Sequence, residues 1–244
     1  MDQMTLEKIR ALVKASRSIV FLGGAGVSTA SGIPDFRSPQ GIYNCESKYG
    51  VPYETMLSHS YFEAHPSTFY EFYWSQMVNL KAKPNLAHFA LADYEKRGHR
   101  LTIITQNIDG LHQEAGSKAV LEAHGSTKRY YCTECGERYS LDQIQNSGVP
   151  HCPKCGGLIK PDVVLYEEPL DEEVLGAAVT AMEQADLLII GGTSMNVYPC
   201  AGLVNYFGGQ HQIIINKEAT HYDPYCEYVI PEDIGSVLSA ILKE

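Results

Sequence analysis

Short apolar runs alternate with stretches of helical spacing along most of the chain. Ser18-Ile19-Val20-Phe21-Leu22, Leu101-Thr102-Ile103-Ile104, Leu187-Leu188-Ile189-Ile190 and Ile213-Ile214-Ile215 are of buried-strand type. Such runs are too short for helices, and they lack the polar alternation of a strand with one wet face. Val163-Val164-Leu165 and Tyr228-Val229-Ile230 are weaker examples. Leu6, Ile9, Leu12 and Val13 predict a helix from Thr5 to about Ala15, and Val174, Leu175, Ala178 and Met182 predict another from residue 172 to residue 184. Strands alternating with helices predict an α/β fold with a parallel, doubly wound sheet.

Two regions break the rhythm. Residues 40–83 are rich in aromatics (Tyr61, Phe62, Phe69, Tyr70, Phe72, Tyr73, Trp74) and read as helical. Residues 126–160 hold paired cysteines and little regular pattern. The expected division is a Rossmann-like domain of residues 1–37, 84–125 and 160–244, and a small domain made of a helical insertion, 38–83, and a zinc-binding insertion, 126–159.

Composition narrows the class. The 244 residues are 44% hydrophobic and 20% charged, which excludes disordered and fibrous chains. No apolar run approaches the roughly 20 residues that cross a bilayer. The first residues, Met1-Asp2-Gln3-Met4-Thr5, have neither a basic nor an apolar leader pattern, so the expected location is cytoplasmic. With 19 Lys+Arg against 29 Asp+Glu the net charge is -10, which argues against nucleic acid and suits basic peptide partners.

The seven cysteines include two C-x-x-C pairs, Cys132/Cys135 and Cys152/Cys155. Two such knuckles complete a tetrahedral Zn²⁺ site, and four thiolates leave no open position for water, so the metal is expected to be structural. Cys45, Cys200 and Cys226 lack that spacing and read as core or surface thiols.

The strand ends carry the remaining chemistry. The first run ends in Gly23-Gly24-Ala25-Gly26, read here as a turn into a helix. Such a turn lets a pyrophosphate approach backbone N–H groups, although a tight turn without ligand fits it equally well. The third run ends in Gly191-Gly192-Thr193-Ser194 and the fourth in Asn216-Lys217. The second ends in Thr105-Gln106-Asn107-Ile108-Asp109-Gly110, whose amides and carboxylate suit a carboxamide or ribose hydroxyls, against an ordinary Asx turn. Ligands of open α/β sheets sit at the carboxyl ends of strands, so these ends can converge on one nucleotide. His124, followed by Gly125, titrates near neutrality and can serve as a general base.

Taken in order, Gly24-Ala25-Gly26-Val27-Ser28, Gly32-Ile33-Pro34-Asp35-Phe36-Arg37, Thr105-Gln106-Asn107-Ile108-Asp109, His124-Gly125, the cysteine pairs, Gly192-Thr193-Ser194 and Ile215-Asn216 resemble the sirtuins. These are NAD-dependent protein lysine deacylases, and the resemblance runs from about residue 5 to 240, with short termini that resemble those of the compact bacterial members. It implies that NAD is consumed as a co-substrate and that acetyl-lysine proteins or peptides are the partners. The products implied are free lysine, nicotinamide and 2′-O-acetyl-ADP-ribose. Residue by residue, Gly24 and Gly192 would belong to the NAD site, with Ala25, Thr29 and Arg37 at the phosphates and ribose. Phe36 would shield the reacting ribose carbon. Gln106 and Asn107 would contact the nicotinamide ribose, with Asn107 counted beside His124 as catalytic, and Ile108 and Asp109 would hold the carboxamide. Thr193, Ser194 and Asn216 would hold the adenosine half, with backbone near Ile234 over adenine. The peptide would lie as an added strand between residues 163–167 and 194–198.

The chain also departs from that pattern. Tyr166-Glu167-Glu168 stands where the family has Phe-Gly-Glu, and Met195-Asn196 replaces Leu and a small or branched residue. Tyr70-Glu71-Phe72-Tyr73 aligns with the Tyr-x-x-Arg pair of relatives that remove acidic acyl groups, and lacks the arginine. An NAD-dependent dehydrogenase is disfavoured by the irregular glycine turn and the missing acidic partner. A zinc-ribbon nucleic-acid module is disfavoured by the negative charge. Mono-ADP-ribosyl transfer to protein on the same NAD site stays open as the alternative.

Overall fold

Four apolar runs become neighbouring parallel strands. The computed structural model describes residues 1–35, 49–144 and 147–243. Its main sheet contains β1 (Ile19–Gly23), β2 (Leu101–Thr105), β3 (Val120–Glu122), β7 (Leu187–Gly191), β8 (His211–Ile215) and β9 (Tyr228–Ile230), in the order β3-β2-β1-β7-β8-β9 and parallel throughout. Both faces are covered. Phe21, Ile103, Ile189 and Ile213 pack toward α1 (Gln3–Ala15), α5 (Leu86–Lys96) and α8 (Ile234–Ile241). Val20, Leu22, Ile104, Leu188 and Ile214 pack toward α7 (Glu172–Gln184) and the 3-10 turns at Cys200–Tyr206. Burial on both sides explains why these strands read as continuous hydrophobic runs.

The register decides where the strands stop. Gly23 pairs with Thr105 on one side and Gly191 on the other, and Gly191 pairs with Ile215. The four central strands therefore end level, and the motifs after them face one another across a single edge.

A second, antiparallel sheet of order β5-β4-β6 is formed by β4 (Gly125–Cys132), β5 (Arg138–Ser140) and β6 (Ile159–Val163). Its interior side meets α2 (Tyr53–Met56), α3 (His59–Ala64) and α4 (Pro66–Phe72) in one aromatic core, where Phe62, Phe69, Tyr70, Phe72 and Tyr73 pack with Tyr130, Cys152 and Ile159. The Tyr70 hydroxyl donates to the Ile159 carbonyl, and Tyr73 lies against Tyr130.

Three expectations are corrected. The glycine turn leads into two short 3-10 turns, Ala25–Val27 and Thr29–Ser31, rather than a helix. The run Val163-Val164-Leu165 is no strand of the main sheet, because only Val163 is paired, as the last residue of β6. The described residues of the cysteine-bearing stretch, 126–144 and 147–160, are more regular than their sequence suggests, since β4, β5 and the start of β6 lie there. Cys45 lies outside the described residues.

Candidate active site

The two glycine turns form one unit. Gly24 N–H donates to Gly191 O at 3.1 Å and Gly26 N–H to Gly192 O at 2.8 Å. A Cβ on Gly26 would sit 2.8 Å from the Gly192 Cα, so these glycines are required first of all by backbone approach between the ends of β1 and β7. Val27 and Ser28 are buried, whereas Ala25 is partly open and Thr29 is exposed, its hydroxyl donating to Gly26 O at 3.1 Å.

Gln106 ties this unit to the histidine. Its N–H donates to Gly23 O at 2.9 Å. Its side-chain amide donates to Thr193 Oγ1 at 3.3 Å, an oxygen that also accepts from Met195 N–H at 3.2 Å. Its carbonyl lies 3.0 Å from His124 Nδ1. A carbonyl can only accept, so Nδ1 carries the hydrogen and Nε2 keeps its lone pair. Burial lowers the pKa of His124 against the opposing pull of the Gln106 bond, so the ring is neutral at physiological pH. Gly125 is obligatory after it, since φ is +75° and a Cβ would fall 2.0 Å from Asp162 O.

A second chain of hydrogen bonds crosses the same edge. Asn107 Nδ2 donates to Ser28 Oγ at 3.0 Å, and the Ser28 hydroxyl donates to Asp109 Oδ2 at 2.6 Å. Asp109 Oδ1 accepts from Leu111 N–H at 2.8 Å, at the start of α6 (Leu111–Ala115). The Ile108 carbonyl accepts from both the N–H and the hydroxyl of Thr127, at 2.8 and 3.0 Å. Ser28 is the residue that sequence reasoning passed over. It was visible inside Gly24-Ala25-Gly26-Val27-Ser28, but nothing in that run tells that its hydroxyl bridges an amide and a carboxylate about 80 residues away in sequence. Behind this chain sit the buried imidazoles of His88 and His112, with ring centroids 4.7 Å apart.

The remaining nominated residues sort by place. Gly24, Ala25, Gln106, Asn107, Asp109, Gly192, Thr193 and His124 meet at the level ends of β1, β2 and β7, with Ile108 on the same loop. Ser194 follows at the exposed lip. Asn216 lies after β8 and spends its amide on Glu218 O at 2.7 Å. Ile234, the first residue of α8, lies under β7, where its Cδ1 would meet a Cβ on Gly191 at 2.3 Å. Phe36 and Arg37 fall outside the described residues.

The four paired cysteines converge on one point. Their sulfur atoms all lie within 4.8 Å of one another, with Cys132–Cys155 at 3.4 Å and Cys135–Cys152 at 3.7 Å. Zn–S bonds near 2.3 Å imply sulfur separations of roughly 3.8 Å in a tetrahedron, so this set fits Zn²⁺ with no vacancy for substrate. Each knuckle is closed by a backbone bond, Gly136 N–H to Cys132 O at 3.0 Å and Gly156 N–H to Cys152 O at 2.8 Å.

Comparison with known proteins agrees with this geometry. The Sir2 family profile matches residues 24–199. A Clostridium acetobutylicum protein named NAD-dependent protein deacetylase is 51% identical over 239 residues, spanning 97% of this chain and 98% of its own length. A Staphylococcus aureus protein of the same name is 42% identical over 239 residues, with 98% of each covered. Among solved structures, a Sir2 histidine-to-alanine variant with deacetylated p53 peptide and 3′-O-acetyl ADP ribose is 37% identical with a TM-score of 0.88, over 98% of this chain and 97% of that one. A Sir2 homolog–NAD complex is 35% identical with a TM-score of 0.86, over 100% of this chain and 93% of that one.

Proposed function

The chain belongs to the Sir2 family, and on that premise we infer that it is an NAD-dependent protein lysine deacetylase. It transfers the acetyl group of acetyl-lysine to ADP-ribose, releasing nicotinamide and 2′-O-acetyl-ADP-ribose. The observation that carries this reading is the convergence of Gln106, the Asn107–Ser28–Asp109 chain and a neutral His124 at one sheet edge.

In this reading the Gly24–Ala25 and Gly192–Ser194 turns, with Thr29, Phe36, Arg37, Asn216 and Ile234, bind the dinucleotide, and Ile108 and Asp109 hold its carboxamide. Asp109 is already an acceptor for Ser28 and Leu111, so its orientation is set before substrate arrives, and its remaining lone pairs can take the carboxamide NH₂. Asn107 faces the nicotinamide ribose. The acetyl-lysine carbonyl oxygen displaces nicotinamide from the ribose carbon. His124 Nε2 then takes a proton from a ribose hydroxyl, which attacks the acyl carbon, and water completes the release of the free lysine amine. Because the ring works as the neutral base, turnover falls as pH drops through its depressed pKa. The peptide lies extended between residues 163–167 and 194–198. Zinc, held by Cys132, Cys135, Cys152 and Cys155, supplies folding energy to the small sheet and takes no part in the chemistry. The reading divides the chain into a Rossmann-like domain (1–37, 84–125, 160–244) and a small domain (38–83, 126–159). Two sheets with separate cores support two units, while β6 (Ile159–Val163) carries the antiparallel sheet past residue 159.

The test is to incubate the protein with NAD and an acetyl-lysine peptide and identify the products by mass spectrometry. Free-lysine peptide with acetylated ADP-ribose is the expected outcome. A peptide heavier by one ADP-ribose would favour mono-ADP-ribosyl transfer instead. His124→Ala is expected to lower turnover by roughly 10²-fold while NAD still binds, and near-normal turnover in that variant would remove His124 from the mechanism.

A further inference from the structure

Glu167 occupies a place that its backbone does not favour. Its φ is +78°, in the left-handed region, where a side chain with a Cβ is disfavoured and glycine is the ordinary occupant. It lies in the segment assigned above to the peptide edge, and it is exposed. Yet the carboxylate is not idle. Oε2 accepts from Ser60 N–H at 2.9 Å and Oε1 from the Ser60 hydroxyl at 3.0 Å.

That contact continues a seam between the loop after β6 and the helical insertion. Tyr166 N–H donates to Leu57 O at 2.9 Å, and Tyr166 O accepts from His59 N–H at 3.0 Å. On the far side, Glu168 Oε1 lies 2.7 Å from His59 Nδ1, while its Oε2 accepts from buried Lys160 at 3.0 Å and from Leu165 N–H at 2.8 Å. Tyr166, Glu167 and Glu168 thus grip Leu57, His59 and Ser60. The carbonyl of His124 joins the same loop, accepting from Val164 N–H at 3.0 Å. The loop consequently runs from the catalytic histidine to the insertion with its backbone fixed at both ends.

We propose that Glu167 is a positioning residue for the peptide substrate: clamped on Ser60, it holds a left-handed turn that an uncommitted side chain would leave, and so keeps residues 163–167 in the conformation the peptide pairs with. The proposal rests on the deacetylase reading. The glycine expected at this position supplies the turn by lacking a Cβ, whereas Glu167 supplies it by two charge-assisted hydrogen bonds that offset the conformational cost. The two solutions predict different behaviour on substitution, which makes the role separable from that of an ordinary surface carboxylate.

The experiment compares wild type with Glu167→Gln, Glu167→Gly and Glu167→Ala, by steady-state kinetics with an acetyl-lysine peptide and by amide hydrogen exchange at residues 57–61. In Glu167→Ala the strain stays and the clamp is lost, so the peptide KM should rise about 5–10-fold. In the same variant kcat and the KM for NAD should move less than about two-fold. Glu167→Gln keeps an acceptor for Ser60 N–H and should stay within about three-fold of wild type. Glu167→Gly loses the clamp but also the strain, and should fall between Gln and Ala. Exchange at Ser60 N–H should speed up about tenfold in both Gly and Ala, whatever the activity. Equal peptide KM in all four proteins, equal rises in Gly and Ala, or unchanged exchange at Ser60 would each overturn the proposal. A wild-type protein that releases no deacetylated peptide would instead overturn the deacetylase reading and the substrate role with it, while the exchange data would still judge the clamp.

Discussion

Acid should loosen this protein through a histidine that does no chemistry. His112 lies on α6, directly after the Gln106–Asp109 loop, and is 1% exposed. Neither of its ring nitrogens has a hydrogen-bond partner among the described residues. Burial, reinforced by the neighbouring His88, pushes its pKa from 6.5 down to about 3. Between those values the unfolded chain binds a proton that the folded chain refuses, so stability is lost as pH falls below 6.5 and recovered as pH rises. The limiting slope is about 1.4 kcal/mol per pH unit, and the loss from pH 7.5 to 5.0 comes to about 2 kcal/mol. For a domain of this size that corresponds to a fall in Tm of roughly 4–8 °C. His88 and His124, whose pKa values are also lowered by burial, act in the same direction. His59, raised chiefly by its hydrogen bond to Glu168, acts in the opposite one, since its pairing is kept in acid and lost as pH rises. The share of His112 is isolated by His112→Phe, which forfeits no hydrogen bond and keeps a ring against Phe21 and His88. Urea unfolding at pH 7.5 and 5.0 should show about 2 kcal/mol less acid sensitivity in the variant than in wild type. Identical acid sensitivity in the two proteins would refute the reasoning, because it would mean that the folded protein protonates His112 as readily as the unfolded chain does.

Ser28→Ala should break the bridge between Asn107 and Asp109, weakening nicotinamide inhibition about tenfold and ADP-ribose binding far less. Titrating both ligands on the variant checks this, and equal losses would make Ser28 a purely structural link. Removing zinc with a chelator should lower Tm and speed hydrogen exchange across residues 126–159, because Cys132 and Cys152 belong to the aromatic core shared with α4; full activity in zinc-free protein would contradict it. An acetyl peptide should be turned over with a higher kcat/KM than a succinyl peptide. Tyr70 and Tyr73, at the positions aligned with the acidic-acyl Tyr-x-x-Arg pair, are fully buried, their hydroxyls directed to Ile159 O and Tyr130. Neither offers a cation to a carboxylate, and an equal or higher succinyl value would place a cation elsewhere in the acyl site.

The parallel sheet was legible wherever a strand is buried on both faces. β1, β2, β7 and β8 announce themselves as apolar runs, and helix 172–184 has the bounds its spacing predicts. β3 escaped notice because it is three residues long and only half-buried. β6 escaped for a different reason. It carries Lys160 and Pro161 in its middle, and a buried lysine reads as surface until its partners are known. Those partners are the carbonyls of Pro161 and Val163 and the carboxylate of Glu168. The four-cysteine cluster was legible because its chemistry is local, two knuckles of four residues each. The glycine turn misled for the complementary reason: a run of glycines shows that backbone must come close to something, and here the nearest something is the Gly191–Gly192 backbone.

What no local pattern could disclose is how His124, the proposed base, is aimed. The Gln106 N–H is held by Gly23, at the level end of β1, and its carbonyl receives the His124 Nδ1 hydrogen. The tautomer of His124 is therefore set by a backbone carbonyl whose position follows from the pairing of Gly23 with Thr105 and Gly191. Changing the Gln106 side chain leaves that carbonyl in place and removes only the link to Thr193, so side-chain substitution at this position should disturb nucleotide contacts without changing which nitrogen of His124 is free. A shift of sheet register would do the reverse, since one slipped pair moves Gln106 relative to the turns on both sides. The burial of every side chain in β1 and β7, which makes such a slip costly, is thus also what fixes the His124 ring. In this fold the hydrophobic core orients His124 as directly as any hydrogen bond in the site.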